Sequence, residues 1–174
     1  STARARRLTY PTVFAANRKP AHSSHRYVIG ETSEPKQSLD GEWKVRIEQA
    51  RNVDVESAPF AAVDFEDGDF GAIEVPGHLQ MAGYLKNKYV NIQYPWDGHE
   101  DPQAPNIPEN NHVAIYRRRF ALDAQLARTL ENDGTVSLTL HGPATAIYVS
   151  LDGTFVGYGE DGFTPSEFDV TRAL

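Results

Sequence analysis

Glycine and proline interrupt this sequence along its whole length, and this spacing restricts the fold more than any other feature. Thirteen glycines and eleven prolines are spread over the 174 residues. No long segment repeats apolar residues with the period of an amphipathic helix. Because glycine favours turns and proline removes a backbone donor, short strands joined by turns fit best. We therefore predict an all-β fold.

Several short segments have the residue pattern of β-strands. In the clearest, residues 42–48, Trp43, Val45 and Ile47 alternate with charged residues, so one face of the strand is expected to be buried. Further strands are predicted over 72–75, 113–122, 135–141, 145–151 and 154–158. Asp152-Gly153 is typical of a hairpin turn between the last two. Strands of this kind hide their apolar faces in a β-sandwich or jelly roll.

The remaining segments suggest an arm, turns and a long loop. Residues 1–38 are polar and interrupted by three prolines, which predicts an extended N-terminal arm before a β-sandwich domain over 39–174. The acidic residues Glu66, Asp67 and Asp69 are typical of a solvated turn. A short helical turn is expected over 78–84. Residues 90–111 contain four prolines and read as an ordered, functional loop.

Composition excludes several classes of protein. Cysteine is absent, which excludes a disulfide framework and a thiolate metal site and permits a cytoplasmic location. The net charge of −7 disfavours binding to nucleic acid or to an anionic membrane surface. No apolar run is long enough to cross a bilayer. We expect no nucleic-acid partner and no membrane partner.

Two sequence patterns match known binding motifs but lack the structural context that those motifs need. Residues 157–162 match Gly-x-Gly-x-x-Gly, but Pro165 and the alternating aromatic residues that follow suit a turn and a strand, not a phosphate-binding helix. His22 and His25 lie three apart without a helix signal around them, and the other histidines are scattered. We therefore predict neither a nucleotide site nor a zinc site.

Two polar residues stand out beside aromatic, turn-rich sequence. Asn91 follows Tyr89 and Val90, and Asp161 lies between glycines after Tyr158. Amide and carboxylate groups bind sugar hydroxyls, and aromatic rings stack on sugar C–H faces. An Asx turn, in which the side chain only caps the backbone, explains the pattern equally well. No pair of carboxylates is recognisable as the acid and nucleophile of a glycosidase.

Four strings, taken together and in order, resemble the start of family 2 β-galactosidases. They are Asn-Arg-Lys-Pro-Ala-His-Ser at 17–23, Leu-Asp-Gly-Glu-Trp-Lys-Val at 39–45, Val-Pro-Gly-His-Leu-Gln-Met-Ala-Gly-Tyr at 75–84, and Gly-Tyr-Gly-Glu-Asp at 157–161 with Pro-Ser-Glu-Phe-Asp at 165–169. The resemblance covers residues 10–174. It implies a jelly-roll, galactose-binding-domain-like domain in a larger homo-oligomeric enzyme.

The resemblance also implies site residues and cofactors. Asn91 and Asp161 would contact galactose, and Asp161 would help to ligate sodium, with magnesium also bound in the complete enzyme. Tyr94, Trp96 and Tyr158 would give aromatic support. The two catalytic glutamates would belong to a TIM barrel that this chain lacks. The chain alone would then be inactive, and its partners would be a β-galactoside such as lactose and the other domains of the same polypeptide.

Departures from the family pattern leave other functions open. Val90 occupies the position where the family usually has threonine, and Gly162 occupies the position where it usually has serine. Residues 85–88 also differ from the family pattern. These differences affect the substrate preference that the resemblance implies. One alternative is a free-standing carbohydrate-binding module with a groove around Tyr94, Trp96 and Tyr158. Another is a structural domain that builds subunit interfaces. β-Glucuronidase and β-mannosidase are related activities, but Gly-Glu-Asp at 159–161 followed by Pro-Ser-Glu-Phe-Asp at 165–169 favours β-galactosidase.

Overall fold

A computed structural model describes residues 12–22, 34–54, 58–86, 101, 103, 108, 111–143 and 145–174. The strands are β1 (Ala15–Ala16), β2 (Gly41–Gln49), β3 (Gly71–Val75), β4 (His112–Arg117), β5 (Ser137–Leu140), β6 (Ile147–Leu151), β7 (Thr154–Gly159) and β8 (Ser166–Asp169), and helix α1 spans Ala124–Glu131. All strand pairs are antiparallel. The predicted all-β fold is confirmed. The chain forms two compact units, described separately below.

The first unit is built on a three-stranded sheet with β2 at its centre. Strand β3 pairs along one edge of β2 and strand β4 along the other. The alternation that predicted a strand over 42–48 is confirmed, and Val45 is 1% exposed. Ile73 on β3 and Ile115 on β4 are also buried.

Basic side chains on β2 and β4 of this sheet are neutralised by the acidic turn. Asp67 is buried, its Oδ2 accepts a hydrogen bond from Arg117 Nε at 3.1 Å, and Lys44 Nζ lies 2.5 Å from Oδ1. Arg46 stacks on the ring of Phe70 at 4.7 Å. The hydrogen bond from Lys44 is the main reason that the pKa of Asp67 lies below its usual value. The expectation that this turn is solvated is therefore wrong for Asp67.

The second unit contains two sheets. One has the strand order β1-β7-β6, and the other pairs β5 with β8. Strands β6 and β7 form a hairpin whose turn residues Asp152 and Gly153 both have positive φ, 47° and 76°. Positive φ at both positions is the requirement of a type I′ turn. The hairpin predicted from Asp152-Gly153 is confirmed.

The core of the second unit joins its two sheets. Val149 and Val156 from one sheet pack with Phe168 from the other, together with Val136 and Val170. This is the two-layer arrangement of a β-sandwich. The jelly-roll strand order and the domain boundary at residue 39 stay predictions.

Phe168 fixes the distance between the two layers. Its side chain is fully buried, and its ring lies where a Cβ on Gly157 would be. The carbonyl oxygen of Ala16 lies 2.9 Å from the same position. Gly157 is thus required by close approach, and not by phosphate binding. The prediction that 157–162 leads into a turn and a strand is confirmed by β8.

Helix α1 was not expected from the sequence. Asp123 caps it, because its side chain accepts a hydrogen bond from the backbone N–H of Gln125 at 2.7 Å. The predicted helical turn over 78–84 forms a series of turns, in which the Ala82 N–H donates to His78 O at 3.0 Å. Among the described residues, no helix has the length and apolarity needed to span a membrane.

Replacing Gly157 by alanine should destabilise the protein. The added Cβ would displace the Phe168 ring and press on the backbone of β1, and overpacking of this kind costs about 1–3 kcal/mol. Gly68→Ala is the matched control, because nothing lies within 4 Å of its Cβ position. Urea unfolding followed by circular dichroism measures the difference. Equal stabilities of the two variants would contradict this account of the core.

Candidate functional site

Asp161 lies in the turn that connects β7 to β8. Its Oδ1 accepts hydrogen bonds from the backbone N–H groups of Phe163, at 2.8 Å, and Thr164, at 3.2 Å. Its Oδ2 accepts a hydrogen bond from the Thr164 hydroxyl. This is an Asx turn. The side chain nevertheless keeps 37% of its surface exposed, so the carboxylate both orders the turn and faces solvent.

A second chain segment, residues 15–19, lies next to this turn and contains Arg18, whose guanidinium contacts the turn. Ala15 and Ala16 pair with the end of β7, whereas Arg18 forms a bridge with Phe168 on β8. Asn17, between them, adopts a left-handed conformation with φ 56°. Its side-chain amide donates to Val156 O at 3.0 Å. The segment therefore changes partner from one sheet to the other at Asn17, and the residue after this change is Arg18.

Arg18 is nine-tenths buried, with 9% of its side chain exposed. Its Nη2 donates to Thr164 Oγ1 at 2.8 Å and to Pro165 O at 3.2 Å. The same nitrogen lies 3.5 Å from Asp161 Oδ2, an ion-pair distance. Arg18, Thr164 and Asp161 thus form one polar cluster, in which the Thr164 hydroxyl accepts from Arg18 and donates to Asp161.

The cluster stabilises the charged form of Asp161. The hydrogen bond from the Thr164 hydroxyl, followed by those from the backbone N–H groups of Phe163 and Thr164, lowers the pKa of Asp161 to about 2. Arg18 acts in the same direction, and partial desolvation opposes it. Asp161 is therefore a carboxylate at neutral pH.

Tyr158 supports this strand end from inside the unit. It is 0% exposed, and its ring lies 4.6 Å from that of Tyr148. Its hydroxyl is 2.5 Å from Glu160 Oε1. Burial, followed by this hydrogen bond, raises the pKa of Tyr158 above its ordinary value. Because the ring is covered, Tyr158 can hold the backbone near Asp161 but does not offer a face for stacking on a sugar.

A second set of ion pairs holds residues 19–22 to β8. Lys19 Nζ lies 2.8 Å from Glu167 Oε1, and His22 Nε2 lies 3.0 Å from Oε2 of the same carboxylate. The backbone N–H of Lys19 also donates to Glu167 O at 2.8 Å. The hydrogen bond from Lys19 is the main reason that the pKa of Glu167 is lowered. These contacts anchor the segment without touching Asp161.

The structure describes only some of the residues predicted for the site. Asp161 and Tyr158 are described above, whereas Asn91, Tyr94 and Trp96 lie outside the described residues. Sequence reasoning missed Thr164 and Arg18. Thr164, three residues after Asp161, fits a local turn pattern that could have been recognised. Arg18 could not, because it meets Thr164 across 146 positions of the sequence.

The described residues supply at most part of a cation site. Asp161 Oδ2 is one hard oxygen ligand of the type sodium and magnesium prefer. Among the described ranges, no group of three His, Cys, Asp or Glu residues could hold a metal. Arg18 also places a positive charge next to that oxygen. The sodium and magnesium expectations stay predictions.

Removing the Thr164 hydroxyl should raise the pKa of Asp161. Thr164→Val keeps the side chain close in size but deletes the largest stabilising contact of the carboxylate. Because the wild-type pKa is lowered, this carboxylate stabilises the fold above pH ~4 and ceases to do so as the pH falls through about 2. The variant should therefore lose less stability on acidification.

Carboxyl-detected NMR titration of Asp161 gives the pKa directly. Thr129→Val is the control, since the Thr129 hydroxyl donates to the backbone carbonyl of Gln125 on helix α1 and not to Asp161. An unchanged Asp161 pKa in Thr164→Val would contradict the role assigned to the hydroxyl. An equal change of the Asp161 pKa in Thr164→Val and Thr129→Val would also contradict this role.

The family model that matches this chain and the relatives that resemble it all point to β-galactosidases and their family. Residues 36–174 match the model of the glycosyl hydrolases family 2, sugar binding domain. The whole chain is 94% identical to part of the β-galactosidase BgaC of Bifidobacterium adolescentis, where it covers 17% of that protein. It is 46% identical, over 96% of its length, to a β-galactosidase of Lactobacillus delbrueckii subsp. bulgaricus, covering 16% of it.

A third relative is the large subunit of a β-galactosidase. The chain is 36% identical, over 94% of its length, to the β-galactosidase large subunit of Leuconostoc lactis, covering 28% of that protein. In every case the chain spans only a small part of its relative. Since the family model covers most of the sequence, this chain belongs to glycosyl hydrolase family 2 as a sugar-binding domain.

Proposed function

We propose that this chain is the N-terminal sugar-binding domain of a longer β-galactosidase that hydrolyses terminal β-D-galactosides such as lactose with retention of configuration. The observation that carries the proposal is the 94% identity over all 174 residues to a β-galactosidase. A retaining glycosidase needs two carboxyl groups about 5 Å apart. We place these catalytic groups outside this chain, and expect the chain alone to be inactive.

The contribution of this domain would be to hold the substrate. Asp161 is ionised, partly exposed and fixed by the Asx turn, so its orientation is set before a sugar arrives. A carboxylate has about four acceptor positions. Oδ1 accepts two backbone hydrogen bonds and Oδ2 accepts one from Thr164. Arg18 Nη2 lies 3.5 Å from Oδ2, but the side chain is 37% exposed, so Oδ2 retains room for a galactose hydroxyl. Asn91 would provide a second contact.

Such a contact alone gives weak binding. A sugar site normally surrounds most of its ligand, and one turn supplies only part of a wall. The other walls would come from the remainder of the longer polypeptide. A free-standing carbohydrate-binding module has less support, because Tyr158, one of the three aromatic residues of its predicted groove, is buried.

Asp161→Asn in the full-length enzyme tests the substrate role. The change removes the charge while keeping the size of the side chain, and a hydrogen bond to a charged group contributes about 1.5–3 kcal/mol. We expect KM for a chromogenic β-galactoside, and the inhibition constant of galactose, to rise about 10- to 100-fold. Steady-state kinetics measures both.

Asp133→Asn is the matched control. Asp133 has φ 57°, a conformation that asparagine also tolerates, and follows helix α1. None of the contacts that join Arg18, Thr164 and Asp161 involves it. Its kinetics should equal those of the wild type. Unchanged galactose inhibition in Asp161→Asn would refute the substrate role and would favour a purely structural domain.

A further inference from the structure

We propose that Arg18 is a positioning residue for the sugar site, which orients the Thr164 hydroxyl toward Asp161. This inference rests on the function proposed above. It concerns a residue that lies 143 positions before Asp161 in the chain and that would act only through the intervening threonine.

The hydrogen-bond directions support a relay from Arg18 to Asp161. A guanidinium donates hydrogen bonds and has no acceptor, whereas a hydroxyl has one proton and two acceptor positions. Because Arg18 Nη2 donates to Thr164 Oγ1 at 2.8 Å, the hydroxyl proton must point elsewhere. It points to Asp161 Oδ2. Arg18 thereby selects the one hydroxyl orientation that stabilises the carboxylate.

The location of Arg18 supports the same conclusion. Its aliphatic stem lies against Gly159, where a Cβ would come within 3.3 Å of Arg18 Cδ. Its Nη2 also donates to Pro165 O at 3.2 Å. Both ends of the turn, at Gly159 and at Pro165, are thus in contact with one side chain. Movement of Arg18 would shift the turn that carries Asp161.

A purely structural explanation fits the contacts less well. Residues 15–19 are already held by backbone pairing with β7 and by the Lys19–Glu167 ion pair. Burying a guanidinium is costly, and a buried ion pair is weak evidence for stability. The buried Nε of Arg18 has no hydrogen-bond partner in the described part of the chain. Buried polar groups that are incompletely satisfied tend to occur at functional sites.

The test is a double-mutant cycle in the full-length enzyme, with Arg18→Ala, Asp161→Asn and the double variant. Lys19→Ala is the matched control, because it removes a cation from the same segment that pairs with Glu167 and not with Asp161. The readouts are kcat, KM for a chromogenic β-galactoside, the inhibition constant of galactose, and the melting temperature. Arg18→Lys keeps the charge but not the guanidinium fork.

We expect Arg18→Ala to weaken galactose inhibition about tenfold, in line with the loss of one charged hydrogen bond, and Lys19→Ala to leave it unchanged. In the Asp161→Asn background, Arg18→Ala should add little, since two groups that act through one interaction are not additive. Arg18→Lys should lie between Arg18→Ala and the wild type. If Arg18→Ala does not fold, Arg18→Lys and its combination with Asp161→Asn give the same cycle.

The possible outcomes separate this inference from the proposed function. Additive effects of Arg18 and Asp161, or equal effects of Arg18→Ala and Lys19→Ala, would overturn the positioning role while leaving the substrate role of Asp161 intact. If Asp161→Asn itself has no effect on galactose inhibition, the proposed function of the site is wrong, and the positioning role fails with it. A coupled loss confined to Arg18 and Asp161 supports both.

Discussion

The packing of Phe168 over Gly157 determines the geometry of the second unit. Because Gly157 has no side chain, the fully buried ring of Phe168 lies directly against β7. This brings the two sheets together at the position where β7 is about to end. The chain must then cross from one layer to the other within the few residues between Gly159 and Ser166. The turn that carries Asp161 is therefore a consequence of core packing, and its short length leaves little freedom for the carboxylate.

The turn between β7 and β8 contains partly buried polar groups, and their hydrogen-bond donors come from two places in the sequence. Local donors come from the turn itself, as the backbone of Phe163 and the side chain of Thr164. The distant donor is Arg18, whose segment pairs first with β7 and then with β8. Residues 15–19 thus span the same gap between sheets as the Asp161 turn does. Because both segments cross between the same two sheets, Arg18 lies beside the turn that carries Asp161.

The sequence predicted the parts of this architecture that depend on local chemistry. Alternation in 42–48 and the Asp152-Gly153 turn identified β2 and the β6–β7 hairpin, because period and turn type are encoded in neighbouring residues. Strand β1 was not predicted, because its two alanines show no alternation of apolar and polar residues. It is defined by its pairing with β7. Helix α1 is too short for a sustained rhythm, although Asp123 is a typical N-cap. Asp67 looked solvated because its partners Lys44 and Arg117 lie on two different strands.

The candidate site also has a part that the local sequence predicts and a part that depends on distant contacts. Asp161 could be selected from its neighbours and from the family resemblance, and the interpretation as an Asx turn is confirmed. The Thr164 hydroxyl, followed by the backbone N–H groups of that turn, keeps the carboxylate ionised and oriented. Fixing a binding group before the ligand arrives reduces the entropy lost on binding. If this domain provides one wall of a sugar site, as we propose, this orientation matters more than the number of contacts. A flexible carboxylate at the same position would have to be ordered by the sugar, and a single weak contact could not supply that ordering.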